Sequence, residues 1–169
     1  MTAILELSSA VRTRRSDMGL TQTALSKLSG LSRATINQLE NCTINDLSLT
    51  RVAKLLGTLG LSVTVSAPRP KSHPHPITKS SALDIAARTS SVSYRVAITA
   101  DQLREIFTSD SMPAAWSPHV YTLLDEAPVS LLASVVEALH AERGVERSQV
   151  WARMRALARQ LKSSRALWL

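Results

Sequence analysis

Apolar positions in the first sixty residues recur with the period of an α-helix. Ile4, Leu7, Ser8, Val11 and Met18 fall on one face of a first helix, with Arg12, Arg14, Arg15 and Asp17 mostly off it. A second helix is expected after Thr21, whose hydroxyl can cap it, with Ala24, Leu25 and Leu28 turned inward. Gly30 follows as a residue able to take positive φ and end that helix. Ser32 then caps a third helix with Ile36 and Leu39 inward, and a fourth, from about Ser48 to Leu59, buries Leu49, Val52, Leu55, Leu56 and Leu59. The alternating stretch SVTV at residues 62–65 reads as a short strand, which needs a partner strand, such as one from a second copy.

The pattern then breaks. SAPRPKSHPHPITKSS, residues 66–81, holds four prolines and three basic residues with few apolar anchors. Proline removes a backbone donor and disfavours helix in the residue before it, so residues 67–81 are expected to be a linker. The division is thus 1–66, a linker at 67–81, and a second unit at 82–169.

In the second unit the helical period returns. ALDIAARTSSVSYRVAI gives a short helix and a brief extended run, and TADQLREIF a helix capped by Thr99 or Asp101. SPHVYTLLDEA and APVSLLASVVEALHAE are two more, the latter apolar on nearly all sides and therefore central. The last, from about Glu146 to Lys162, places Val150, Met154, Leu157, Ala158 and Leu161 inward and Arg147, Arg153, Arg155, Arg159 and Lys162 outward. The fold class that follows is all-α, a small N-terminal helical domain with a short terminal strand, a Pro-rich linker and a C-terminal helical bundle.

Composition agrees with helices. Apolar residues are 44% of the 169 but aromatics only 4%, so Leu, Ala and Val must build the core. The single cysteine, Cys42, excludes an internal disulfide framework and a metal site made of cysteines alone. No apolar run approaches the ~20 residues of a membrane span, and MTAILELSSAVRTRRSD lacks the layout of a signal peptide. A soluble cytoplasmic protein without membrane association is expected.

Charge changes the picture more. Lys and Arg exceed Asp and Glu by 20 to 13, a net +7, which suits a polyanionic partner. The first 66 residues carry 7 basic and 4 acidic groups, the linker adds 3 basic, and residues 82–169 carry 10 and 9. Within the second unit, residues 82–142 hold 3 basic and 8 acidic groups, and residues 143–169 hold 7 and 1. The last helix either tracks a phosphate backbone or pairs its arginines with the acidic half of its own bundle. Arg12, Arg14 and Arg15 divide in the same way between phosphate contact and plain solvation.

The turn SGLS, residues 29–32, is where charge meets shape. Small Ser26, Ser29 and Gly30 let helices two and three cross closely, so that helix three projects with Arg33, Ala34, Thr35, Asn37 and Gln38 outward. Arg can pair with guanine through two hydrogen bonds and Gln with adenine, while Ala or the Thr methyl can touch the thymine methyl. A tight turn before such a helix fits entry into a groove.

The stretch Leu20 to Asn41 resembles the helix-turn-helix of the Cro and phage-repressor family, the Xre-type regulators. The marks are Leu20-Thr21-Gln22, Gly30-Leu31-Ser32-Arg33, Ile36 and Gln38-Leu39-Glu40-Asn41. The resemblance continues through LSLTRVAKLLGTLGLSVTV, similar to the closing helix of antitoxin repressors, in which a strand follows and pairs across the dimer. It implies a lambda-repressor-like domain of four to five helices that binds double-stranded operator DNA as a homodimer and represses transcription. In it Gln22 would contact a phosphate and buttress helix three. Arg33, Ala34, Thr35 and Gln38 would face base edges, and Asn41 and Thr43 would approach the backbone. Thr23, Ser32 and Asn37 complete the DNA-binding set. The family usually has Gly after its Glu-Asn pair, where this chain has Cys42; either Asn41 takes the left-handed conformation or the loop differs.

Nothing points to catalysis or to a cofactor. His73 and His75 have ligand-like spacing but lie in the Pro-rich segment without a nearby Cys or carboxylate, His119 and His140 are isolated, and no phosphate-cradling loop exists among five glycines. GVERSQVWARMRAL, residues 144–157, echoes GLSRATINQLE and is either a second groove-reading helix or a hairpin of the bundle. The bundle is a candidate surface for a partner protein, such as the toxin that an antitoxin neutralises.

Overall fold

The computed structural model describes residues 2–64 and 81–169. The expected linker, with His73 and His75, lies outside the described residues except for Ser81. In chain order the helices are α1 (Thr2–Asp17), α2 (Gln22–Ser29), α3 (Arg33–Glu40), α4 (Leu49–Thr58), α5 (Ala82–Ser91), α6 (Ala100–Thr108), α7 (Ser117–Glu126), α8 (Val129–Arg143) and α9 (Arg147–Gln160), with a 3-10 turn at Ala114–Trp116 before α7. The chain is all-helical over the described residues, as its periodicity predicts.

Local chemistry sets the helix ends. Thr21 accepts from the Ala24 amide and Ser32 from the Thr35 amide, each satisfying one of the orphan donors at a helix start. Ser81 with Asp84 and Thr99 with Gln102 form reciprocal capping boxes that open α5 and α6. Pro118 stands in the first turn of α7, where its missing N–H costs nothing.

Val11, Leu25, Ile36, Leu39, Leu55 and Leu59 form the centre of the first four helices, and Leu83, Leu103, Phe107, Leu123, Leu132, Val136, Trp151 and Met154 that of the last five. The two sets are continuous in one core, because α1 packs on α9 and α4 on α8. Gly60 makes the second approach possible. Its φ is +68°, and a Cβ there would stand 2.8 Å from the Val129 carbonyl oxygen and 2.9 Å from the Ala133 Cβ.

Ion pairs cross the same seam. Glu137 of α8 accepts from Arg14 of α1 at 2.9 Å and from Arg147 of α9 at 2.8 Å. Burial would raise the Glu137 carboxyl, but hydrogen bonds and charge from Arg147 and Arg14 outweigh it and hold the pKa below the ordinary value. Arg155 donates to the carbonyl of Met18, in the turn between α1 and α2.

Four expectations need correction. Residues 62–64 pair with no strand among the described residues, since no neighbouring segment offers an edge, and Val65 lies outside them. The extended run expected after α5 forms turns and bends instead of a strand. Leu49 is 71% exposed, because as the first residue of α4 it lies beyond the reach of the core beneath Val52 and Leu55, and Ile4 near the start of α1 is also exposed. Arg147, Arg153 and Arg155 are half-buried and used within the fold: Arg153 donates to the Ile106 carbonyl at 3.2 Å, and the other two make the contacts above. α9 is packed on α1, α6, α7 and α8, the arrangement of a bundle hairpin with α8 and not of a projecting reader.

Candidate nucleic-acid interface

The turn between α2 and α3 is braced by its serines. Gly30 has φ +73° and donates its N–H to the Ser26 carbonyl, closing α2 in a left-handed cap. Ser26 donates its hydroxyl to the Leu31 carbonyl at 2.6 Å. Buried Ser29 donates to the Leu25 carbonyl at 2.7 Å and accepts from the Leu31 amide at 3.3 Å. Small size is therefore only part of why serine stands here: both hydroxyls satisfy backbone groups that the tight turn would leave unpaired.

α3 is fixed on its inner side by Ile36 and Leu39, both fully buried, and at its end by Glu40. Arg15 of α1 donates to Glu40 from Nε at 2.6 Å and from Nη2 at 3.0 Å, a two-pronged pair, and from Nη1 to the Leu20 carbonyl at 2.8 Å. Gln22 Nε2 donates to the same carboxylate at 2.9 Å. Burial alone would raise the Glu40 carboxyl; hydrogen bonds from Arg15 and Gln22, with the charges of Arg15 and Arg12, reverse this and keep it below the ordinary glutamate pKa. One buried carboxylate thus ties the end of α3 to α1 and to the first residue of α2. Sequence reasoning placed Gln22 as a buttress but missed Arg15 and Glu40. The available signal was an acidic residue at an inward helical position, i+4 from Ile36.

The outer side of α3 faces solvent. Arg33, Ala34, Asn37 and Gln38 are exposed in one row, and neither Arg33 nor Gln38 is held by another side chain among the described residues. Thr35 is half-buried and shares a 2.8 Å hydroxyl contact with Ser32, so the capping pair occupies both hydroxyls. Asn41 donates to Asn37 Oδ1 at 3.2 Å, and the Thr43 hydroxyl donates to the Gln38 carbonyl at 3.3 Å. Thr23 is exposed at the start of α2, one residue after half-buried Gln22. All ten residues expected at the interface therefore lie on α2, α3, the turn between them or the loop after α3.

The loop after α3 resolves the position where glycine was expected. Cys42 takes φ +57°, while Asn41 stays at −95°. The cysteine itself adopts the left-handed turn, with its thiol exposed. Arg12, Lys27, Arg51 and Lys54 are the other exposed cations of this part of the molecule, so the surface around α3 is electropositive.

Of the two arginines left open with Arg12 by the sequence, Arg14 and Arg15 are taken by carboxylates. Among the described residues no group of three or more His, Cys, Asp or Glu side chains is placed to hold a metal ion, and no helix is long and apolar enough to cross a membrane.

Neither the curated proteins nor the solved structures include a match to this chain. Residues 11–65, however, match the helix-turn-helix family model, over the segment in which α2, the braced turn and the free face of α3 stand. The N-terminal part of the chain is a helix-turn-helix domain of the Xre, Cro-like type, the DNA-binding module of a transcription regulator.

Proposed function

We propose that this regulator is a sequence-specific repressor, cytoplasmic and nucleoid-associated, that reads operator DNA with α3 and binds an inverted repeat as a homodimer. The observation that carries the reading is the contrast between the two sides of α3. Its inner side is locked by Ile36, Leu39 and the Arg15–Glu40–Gln22 network, while Arg33, Ala34 and Gln38 project with no side-chain partner among the described residues and exposed Asn37 is held only by Asn41. Side chains free to pair, on a helix that does not give, are what direct readout needs. Gln22, Thr23, Ser32, Thr35, Asn41 and Thr43 are assigned the flanking contacts. One short helix reads few bases, so a dimer with half-sites about one turn, ~34 Å, apart is the economical solution. The test is a titration of fluorescent DNA from the protein's own promoter against scrambled DNA at two salt concentrations. A promoter preference that survives added salt supports the repressor; equal and strongly salt-dependent binding removes it.

An antitoxin role is the second part of the proposal, in which the protein regulates its own operon and neutralises a toxin through its bundle. What favours a partner there is the cluster of exposed apolar residues on α5 and the loop after it, Ile85, Val92 and Val96, the last two 84% and 65% exposed. The full chain purified from native extract should then carry a second protein, and a clean preparation of this chain alone would count against the role.

A further inference from the structure

α9 does not spend all of its basic residues inside the fold. Arg147 and Arg155 are held by Glu137 and the Met18 carbonyl, and Arg153 by the Ile106 carbonyl. Arg159 and Lys162, at the end of the same helix, are exposed and form no ion pair among the described residues.

Their place in the fold matters. Arg159 lies one helical turn beyond Arg155 on the same face, and Arg155 rests on the Met18–Gly19 turn that leads directly into α2. Burial first, and then the charge of Arg159, lower the pKa of Arg155. After α9, Lys162 turns the chain with φ +59°. The returning residues Ala166 and Leu169 then share a groove with Thr21, Thr23, Ala24, Lys27 and Leu28 of the helix-turn-helix. The nearby carboxylate, Asp125, accepts from the Ser163 hydroxyl at 2.6 Å and has the Arg165 guanidinium beside it, so its charge is offset locally.

We propose that Arg159 and Lys162 form a second phosphate-binding edge, which extends the contact with duplex DNA outward from the start of α2 onto the bundle. This rests on the DNA-reading assignment of α3 and adds to it a contact from outside the helix-turn-helix. Long cations without an ion pair among the described residues, on the helix that rests against the turn leading into α2, lie where the backbone of a duplex bound at α2 would continue. Such contacts add affinity without sequence information.

The experiment is the salt dependence of promoter binding by the full-length Arg159→Gln, Lys162→Gln double variant, with Arg88→Gln, Arg95→Gln as a control. The control removes the same charge from exposed positions on α5 and the loop after it, outside α9 and the helix-turn-helix. Each lost phosphate contact should reduce the slope of log K against log salt by about 0.9. The double variant should therefore lose about 1.8 per protomer, weaken equally on promoter and scrambled DNA, and lose backbone protection only at the outer edges of a hydroxyl-radical footprint. The control should keep the wild-type slope and footprint. A double variant with unchanged slope and footprint, on a wild-type protein that still prefers its promoter, overturns the second edge and leaves the α3 reading intact. Equal slopes lost in both variants would reduce the effect to net charge and overturn it as well, and a wild type without promoter preference would remove both.

Discussion

Cys42 is the residue whose backbone and identity disagree most openly. A left-handed conformation costs a residue with a Cβ about 1 kcal/mol or more, and glycine escapes that cost while losing more chain entropy on folding. Cys42→Gly is therefore expected to raise stability by up to about 1 kcal/mol in urea denaturation, with the loop after α3 unchanged. Lower stability would mean that the cysteine side chain contributes contacts beyond the exposed thiol. Arg33 stands at the opposite pole, an unstrained residue with no internal duty. Arg33→Ala should cost about 1 to 3 kcal/mol of operator binding and relax the choice at one base pair, while the melting temperature stays near that of the wild type. Unchanged affinity and unchanged base preference would exclude Arg33 from the readout.

Among the elements, α3 depends most on a group it does not present to solvent. Glu40 has a folded-state pKa below its unfolded value, so it contributes stability fully at pH above the unfolded pKa. That contribution is lost as pH falls through the lowered folded value. Acid should therefore loosen the end of α3, and Glu137, depressed in the same direction, should release the α1–α8–α9 seam over a similar window. Glu40→Gln leaves partly buried Arg15 beside a neutral amide and should cost about 2 kcal/mol at neutral pH. The test of mechanism is the acid limb of the stability curve, which should be shallower in the variant; an acid limb of wild-type steepness would place the titration elsewhere. The need for an anchor near the end of α3 was legible in the apolar spacing of Ile36 and Leu39. The anchor's chemistry was not, because Arg15 and Glu40 meet from 25 positions apart.

On the scale of the whole molecule, the helix-turn-helix and the bundle meet through a close backbone approach at Gly60. Gly60→Ala combines the cost of positive φ with overlap against Val129 and Ala133, and a loss of about 2 kcal/mol or more is expected. If the two parts act as one cooperative unit, thermal unfolding of the variant should remain a single transition at lower temperature. Two separated transitions would show that the helix-turn-helix folds without the bundle. The division at 67–81 was read from proline and charge, and such a reading has no access to this contact. α4 and α8 carry helix-period patterns that look the same whether their apolar faces meet each other or only their own neighbours.

The sequence by itself determined what short-range physics controls. Helix positions followed from apolar period, starts from Thr21, Ser32 and Thr99, the end of α2 from Gly30, and the helix-turn-helix from the spacing between Leu20 and Asn41. Only the tertiary structure decided which basic residues remain free. Arg14, Arg15, Arg147, Arg153 and Arg155 looked like Arg33, Arg159 and Lys162 along the chain, since each is a long side chain with one positive charge. Their partners, Glu137, Glu40 and the carbonyls of Met18 and Ile106, are brought to them only when distant helices pack. A charge is a surface feature or an internal strut according to what folding places within about 3 Å of it, and that is not a local property of the sequence.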